Sequence, residues 1–175
     1  GFEGARAADV LTASAAYGIA TALSALTLAP QVDRIGAGRV AVLALLVLAV
    51  ALGLTAGANG VPMLVIAQLL AGLAAGAALP SIYSLSSEVS EPGREAETLG
   101  LVLTGWTIAL VAGVSLAGPV ADYLHWRIVF AGLGSFALIG AAVLHLRLRG
   151  RGAPVDGRTT SPLAALRTPG IIPAL

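Results

Sequence analysis

The sequence predicts an all-α fold, that of a polytopic membrane protein, from three observations. Of its 175 residues, 57% are hydrophobic and 11% are charged, whereas about 25% of the residues in soluble domains are charged. The charged residues form clusters between apolar stretches, instead of being spread along the chain as solvated faces would require. Each apolar stretch is close to the roughly 20 residues that a helix needs to cross a bilayer.

Five stretches are predicted to be transmembrane helices. They cover residues 10–31, 40–60, 63–84, 99–121 and 128–146, and none contains Asp, Glu, Lys or Arg. A buried helix of a large soluble protein is the alternative for any one of them. Five such helices in succession, with almost no polar face, would leave a soluble protein without a side that faces water.

The composition and the placement of polar residues argue against several classes of function. A net charge of +1 gives no reason to expect a nucleic-acid partner, and a chain without cysteine has no disulfide or thiolate metal site. An intramembrane protease would need two membrane aspartates, a zinc motif, or a serine paired with a membrane histidine. His125 lies between spans and His145 near the end of the last one. We therefore expect no enzyme activity, cofactor or metal.

The arginines predict the orientation, since all ten basic residues are arginine. One side of the membrane holds Arg34, Arg39, Arg94, Arg147, Arg149, Arg151, Arg158 and Arg167, and the other holds Arg6 and Arg127. Arginine-rich short loops stay in the cytoplasm, so we expect the N-terminus outside and the C-terminus inside a bacterial inner membrane. An outside N-terminus without a signal-like segment predicts that a preceding span is missing and that the chain is a fragment, which would assemble with the rest of its own protein.

Two short segments predict an internal repeat. Pro30 and Asp33 recur 89 residues later as Pro119 and Asp122, and an arginine that opens the next span follows each pair. Three predicted spans separate the copies, and an odd number inverts one copy relative to the other. Inverted three-helix repeats are typical of secondary transporters, whose substrate site lies between the repeats.

Small residues recur at a spacing of four in two predicted spans. They are Gly105, Ala109, Gly113 and Ala117 in the fourth span, and Gly72 and Gly76 in the third. Such rows let membrane helices approach closely, and glycine together with proline also permits bending. The sequence leaves both roles open.

Several motifs of the chain resemble those of the major facilitator superfamily and occur in the same order. The resemblance runs from the end of the family's first helix through its sixth. Asp33, Arg34, Gly36 and Arg39 fit the family's Asp-Arg-x-Gly motif between helices two and three, although Ala29, Ala37 and Gly38 depart from it. Gly105, Gly118 and Pro119 fit the antiporter motif of helix five, with Gly113 beside the position that Val114 occupies and Asp122 in place of a glycine. Trp126 to Phe130 is similar to the Trp-Arg-x-x-Phe that opens helix six in drug and sugar efflux members. Gln68 stands where the family usually has an arginine.

The resemblance implies the N-terminal half of a transporter and a gate near the first motif. In the family, this loop touches the other half of the protein and helps to latch the inward gate, so Asp33, Arg34, Gly36 and Arg39 are expected to form a conformational latch. Alternatively, they only mark a cytoplasmic loop, which would explain the arginines but not the acid. Gly105, Gly113, Gly118 and Pro119 are expected to serve helix bending and packing.

The resemblance also implies a central cavity for a small-molecule substrate. Its candidate lining residues are Tyr17, Gln68, Trp106 and Thr107, and a cavity built from them would be mostly apolar and suit a lipophilic substrate. An interhelical hydrogen bond accounts for Gln68 equally well. No predicted span holds a carboxylate, so if protons are the coupling ion, the acid that binds them lies outside these spans.

We expect residues 147–169 to form a cytoplasmic linker near lipid headgroups and residues 170–175 to begin a seventh span. The expected function is efflux of small lipophilic molecules or sugars in exchange for protons, as in multidrug antiporters. An uptake transporter, or a non-transporting receptor or assembly protein on the same scaffold, stays open as an alternative.

Overall fold

The computed structural model describes residues 7–123 and 125–149, and these contain only helices and their connections. The five helices are α1 (Ala7–Ile35), α2 (Ala37–Gly57), α3 (Val61–Val89), α4 (Glu95–Tyr123) and α5 (Trp126–Leu148). The side chains of Ala7, Ala29, Pro30 and Asp33 lie outside the described part. Each helix is long and apolar enough to cross a membrane. The fold is therefore the all-helical one that the sequence predicts.

The helices are longer than the charge-free stretches, because their ends include charged residues. Helix α3 continues past residue 84 to Val89, and α4 already begins at Glu95. Helix α5 includes Arg147 and ends at Leu148. The rest of the predicted linker, from residue 150, and the predicted start of a further span at 170–175 lie outside the described residues.

Local sequence explains where several helices begin and end. Pro62 lies in the first turn of α3, where a missing N–H costs nothing. After Ser90, a turn through Pro92 and Gly93 leads into α4, and Gly93 has a φ of 86° that favours glycine. His125 caps α5, because its ring nitrogen Nδ1 accepts a hydrogen bond from the N–H of Arg127, at 3.2 Å.

Four of the helices form a continuous series of packed pairs. Helix α1 packs against α3, α3 packs against α2, and α2 packs against α5. A cluster of buried apolar side chains joins the end of α1, the start of α2 and α3. It consists of Val32, Ala37, Val40, Ala44 and Ala77. Most of the buried residues are alanine, which lets backbones approach closely, as in membrane helix pairs.

Helix α4 differs from the other four helices. None of its 29 residues is buried in the described structure, and it contacts only α3 and α5, its neighbours along the chain, with no contact to α1 or α2 among the described residues. Its predicted small-residue row is therefore not used for packing within this part of the molecule.

Candidate functional site

Two helices approach each other closely where α1 crosses Gly72 and Gly76 of α3. A Cβ atom at Gly72 would run into the carbonyl oxygen of Tyr17 and lie 2.9 Å from the Cβ of Ala20. A Cβ atom at Gly76 would run into the carbonyl oxygen of Thr21 and lie 2.7 Å from the Cβ of Ser24. Only glycine permits this backbone contact. The two glycines of α3 are thus packing residues.

Two of the four predicted cavity residues, Tyr17 and Gln68, belong to this helix pair. Gly72 faces residue 17 and Gly76 faces residue 21, so α1 and α3 run in the same direction. Gln68 lies one turn before Gly72 and on the same face of α3, since residues four apart share a face. Tyr17 is 37% exposed and Gln68 is partly exposed. The amide of Gln68 has no hydrogen-bond partner among the described residues, so it is available to a ligand or to another helix.

The other two predicted cavity residues lie on α4, away from that pair. Trp106 is 49% exposed, and the hydroxyl of Thr107 donates to the carbonyl oxygen of Leu103 in its own helix, at 3.0 Å. Because α4 has no contact with α1 in the described structure, Trp106 and Thr107 are not brought to Tyr17 and Gln68. The four residues do not form one closed pocket within the described part.

The predicted bending motif lies inside α4. A Cβ atom added at Gly105, Gly113 or Gly118 would meet nothing within 4 Å among the described residues. Pro119 is inside the helix, which continues to Tyr123. Proline removes one backbone hydrogen bond from a helix. The motif therefore combines a missing backbone hydrogen bond with glycines that pack against no described residue of another helix.

The predicted latch residues surround a one-residue turn. Gly36 alone separates α1 from α2; its φ is 97°, and its N–H donates to the carbonyl oxygen of Val32, at 2.9 Å. Asp33 lies in the last turn of α1, but its side chain is outside the described part. Arg34 and Arg39 are exposed and form no ion pair with a described carboxylate. The stretch is a sharp helical corner that carries two exposed arginines.

A contact between the carboxyl end of α2 and the amino end of α5 was not predicted from the sequence. An η nitrogen of Arg127 donates to the carbonyl oxygen of Ala58 at 2.8 Å, and it lies 3.5 Å from the Oδ1 of Asn59. The guanidinium also lies 5.3 Å from the ring centre of Trp126. Arg127 thus joins the first turn of α5 to the carboxyl end of α2. In the sequence, Arg127 stood out only because it is one of the two arginines predicted on the outer side of the membrane.

Metal ligands do not cluster in the described part of the chain, since it holds no group of three His, Cys, Asp or Glu residues that could bind an ion. Arg94 forms two ion pairs, with Glu91 at 3.3 Å and with Glu97 at 2.7 Å. These pairs lie in and next to the exposed turn between α3 and α4, away from the α1–α3 contact.

Comparison with known proteins gives consistent matches. The sequence model of the Major Facilitator Superfamily matches residues 4–174. The chain is 33% identical, over 132 residues, to the inner membrane transport protein YnfM of Escherichia coli (strain K12), covering 73% of this chain and 31% of that protein. It is 29% identical, over 114 residues, to the uncharacterized MFS-type transporter YwfA of Bacillus subtilis (strain 168), covering 65% of this chain and 28% of that protein. The matches thus span about a third of each relative.

Proposed function

The chain belongs to the major facilitator superfamily, and from this we propose that the whole protein is a secondary active transporter that works by alternating access. The family match over residues 4–174 is the observation that carries the proposal. The inverted-repeat pattern of Pro30 and Asp33 with Pro119 and Asp122 supports it, since transporters place their substrate between such repeats.

The substrate we propose is a small lipophilic molecule or a sugar, which is exported. The candidate residues are all uncharged, Tyr17 and Gln68 on the α1–α3 pair and Trp106 and Thr107 on α4. A substrate path that passes both groups would favour apolar contacts with a few hydrogen bonds. The amide of Gln68, without a partner among the described residues, would give such a site its orienting polar group. The resemblance of Gly105, Gly118 and Pro119 to the antiporter motif supports export in exchange for protons.

The motion we propose separates the described helices into two groups, α4 and the other four helices. Helix α3 packs against α1 and α2, and α2 packs against α5, so these four helices would move as one body. Helix α4, which has no buried residue in the described structure, would bend at its glycines and Pro119 when the substrate path opens. The corner at Gly36, with Asp33, Arg34 and Arg39, would hold one end of the path closed against the remainder of the protein.

Transport by the full-length protein in everted membrane vesicles tests the proposal. With an inwardly acidic pH gradient, we expect a fluorescent lipophilic cation to accumulate inside the vesicles, and a protonophore should abolish the accumulation. Accumulation only in right-side-out vesicles would indicate uptake. No gradient-dependent movement of any of a panel of lipophilic dyes and sugars, with protein present at normal levels, would contradict the proposed transport.

A further inference from the structure

A cluster of arginines, without carboxylate partners among the described residues, lies where α2 begins and α5 ends. A Cβ atom at Gly38 would lie 2.6 Å from the Cδ1 of Leu148, so the last side chain of α5 rests on the first turn of α2. Arg39 follows Gly38 directly, and Arg147 and Arg149 flank Leu148. The contact therefore gathers three arginines from two helices at one seam, which we call the α2–α5 seam.

Helix geometry places these arginines beside the contact instead of within it. Neighbouring residues of a helix are about 100° apart around its axis, so Arg147 and Arg149 lie on opposite sides of Leu148. Arg39 is likewise turned away from Gly38. All three are exposed.

Gly38 of α2 faces Leu148 and Ala49 faces Gly134, so α2 and α5 run antiparallel. In two antiparallel right-handed helices, the residue after each contact residue points to the same side. Arg149 therefore lies on the same side of the seam as Arg39, and Arg147 on the other.

Nothing in the described structure neutralises this charge. The ion pairs there involve Arg94, and Glu88, at the end of α3, is exposed and pairs with none of the described arginines. The Nε of Arg149 donates to the Nε2 of His145, at 3.0 Å. The two η nitrogens of Arg149 have no partner among the described residues and can form a bidentate pair with a phosphate.

Exposed apolar side chains lie one turn deeper on the same helix faces. Leu43 is four residues after Arg39 on α2 and 57% exposed, and Leu146 is three residues before Arg149 on α5 and 64% exposed. Residues three or four apart share a helix face. Each face thus presents a cation at the helix end and an apolar surface beneath it. A free phosphate would use only the cations, whereas a phospholipid would use both.

We propose that the α2–α5 seam binds the phosphate of an anionic phospholipid, with Arg39 and Arg149 on the headgroup and Leu43 and Leu146 against its acyl chains. The lipid would bridge the start of α2 and the end of α5 and offset the repulsion between their arginines. The site requires only that the helices span a bilayer, so it can be tested apart from transport. Arg39 is also one of the proposed latch residues, whereas Arg149 is not.

Binding is measured on the full-length protein in phosphatidylethanolamine vesicles, with spin-labelled phosphatidylglycerol and spin-labelled phosphatidylcholine as probes. The wild type should immobilise phosphatidylglycerol preferentially. Arg39→Gln and Arg149→Gln should each lower this preference about fivefold, the equivalent of about 1 kcal/mol per arginine at an anionic surface. Arg39→Lys should keep it within about twofold, because the charge remains.

Arg94→Gln is the matched control, since it removes the same charge from an arginine that already has two carboxylate partners. An equal loss of preference in Arg94→Gln and Arg149→Gln would overturn the proposal, because it would indicate an effect of net charge alone. So would an unchanged preference in both glutamine variants of the seam. Displacement of the labelled lipid by inorganic phosphate at constant ionic strength would contradict the assignment to a lipid.

Discussion

Ser24 of α1 donates a hydrogen bond from its Oγ to the carbonyl oxygen of Leu73 on α3, at 2.6 Å, and it is 1% exposed. This bond crosses between two helices at the level where Gly76 admits the backbone of α1. Interhelical hydrogen bonds in membranes contribute about 0.6 kcal/mol on average. The backbone contact at Gly72 and Gly76, which excludes lipid along several residues, should therefore contribute more to holding α1 and α3 together than the hydrogen bond does.

Gly76→Ala should destabilise the protein by about 1–3 kcal/mol, the usual cost of overpacking. The added methyl group would run into the carbonyl oxygen of Thr21, which is backbone and cannot rotate away. Gly18→Ala, on α1, is the control, because a Cβ atom there meets nothing within 4 Å among the described residues. The fraction of full-length protein that stays monodisperse after heating in detergent measures the difference. Equal heat resistance of the two variants would contradict the contact.

Arg127→Gln should lower stability by about 1.5–3 kcal/mol, the range for hydrogen bonds to charged groups. The change leaves the carbonyl oxygen of Ala58 without its donor and separates the start of α5 from the end of α2. Arg94→Gln should cost less than about 1 kcal/mol, because its ion pairs are exposed. The same heating assay compares them. If Arg94→Gln is the more damaging variant, the Arg127 contact does not hold the two helices.

The sequence was sufficient to predict five membrane helices, because an uncharged apolar stretch of about 20 residues matches the thickness of a bilayer and exceeds what most soluble cores can bury. It could not give the helix ends, since Glu88, Glu95 and Arg147 belong to helices although they are charged. Nor could it give the partners of Gly72 and Arg127. Small residues and an arginine are compatible with many neighbours, and which backbone they meet depends on how distant helices pack.

The topology prediction is tested with single cysteines, which is simple because the chain contains none. A cysteine at Glu91 should resist an impermeant thiol reagent in intact cells, because the arginine distribution places this turn in the cytoplasm. A cysteine at Asn59, at the other end of α3, should react. Permeabilised cells serve as the control, in which both should be labelled. Labelling of Glu91 alone in intact cells would reverse the orientation and remove the gate assignment.

Asp33 lies in the last turn of α1, which ends at Ile35, and α2 begins two residues later at Ala37. An acid at the carboxyl end of a helix is disfavoured by the dipole of that helix and favoured by the amino end of a neighbouring one. The electrostatic energy of the Asp33 carboxylate should therefore depend on how the ends of neighbouring helices are arranged around it. This is the physical basis for the proposed latch.

Asp33→Asn in the full-length protein should leave insertion and expression intact but shift the balance between the inward-open and outward-open states. Asparagine keeps the size of the side chain and removes its charge. A loss of about 1.4 kcal/mol changes a population ratio about tenfold, which should slow turnover while substrate affinity changes only a few-fold. Distances between fluorophores on the two halves of the protein report the populations, and vesicle transport reports the turnover. Arg34→Gln should act similarly if both residues belong to one network, and the double variant should then lose less than the sum of the single losses.

Normal turnover and unshifted populations in Asp33→Asn would contradict the latch. They would indicate that Asp33 is only a solvated acid at a helical corner.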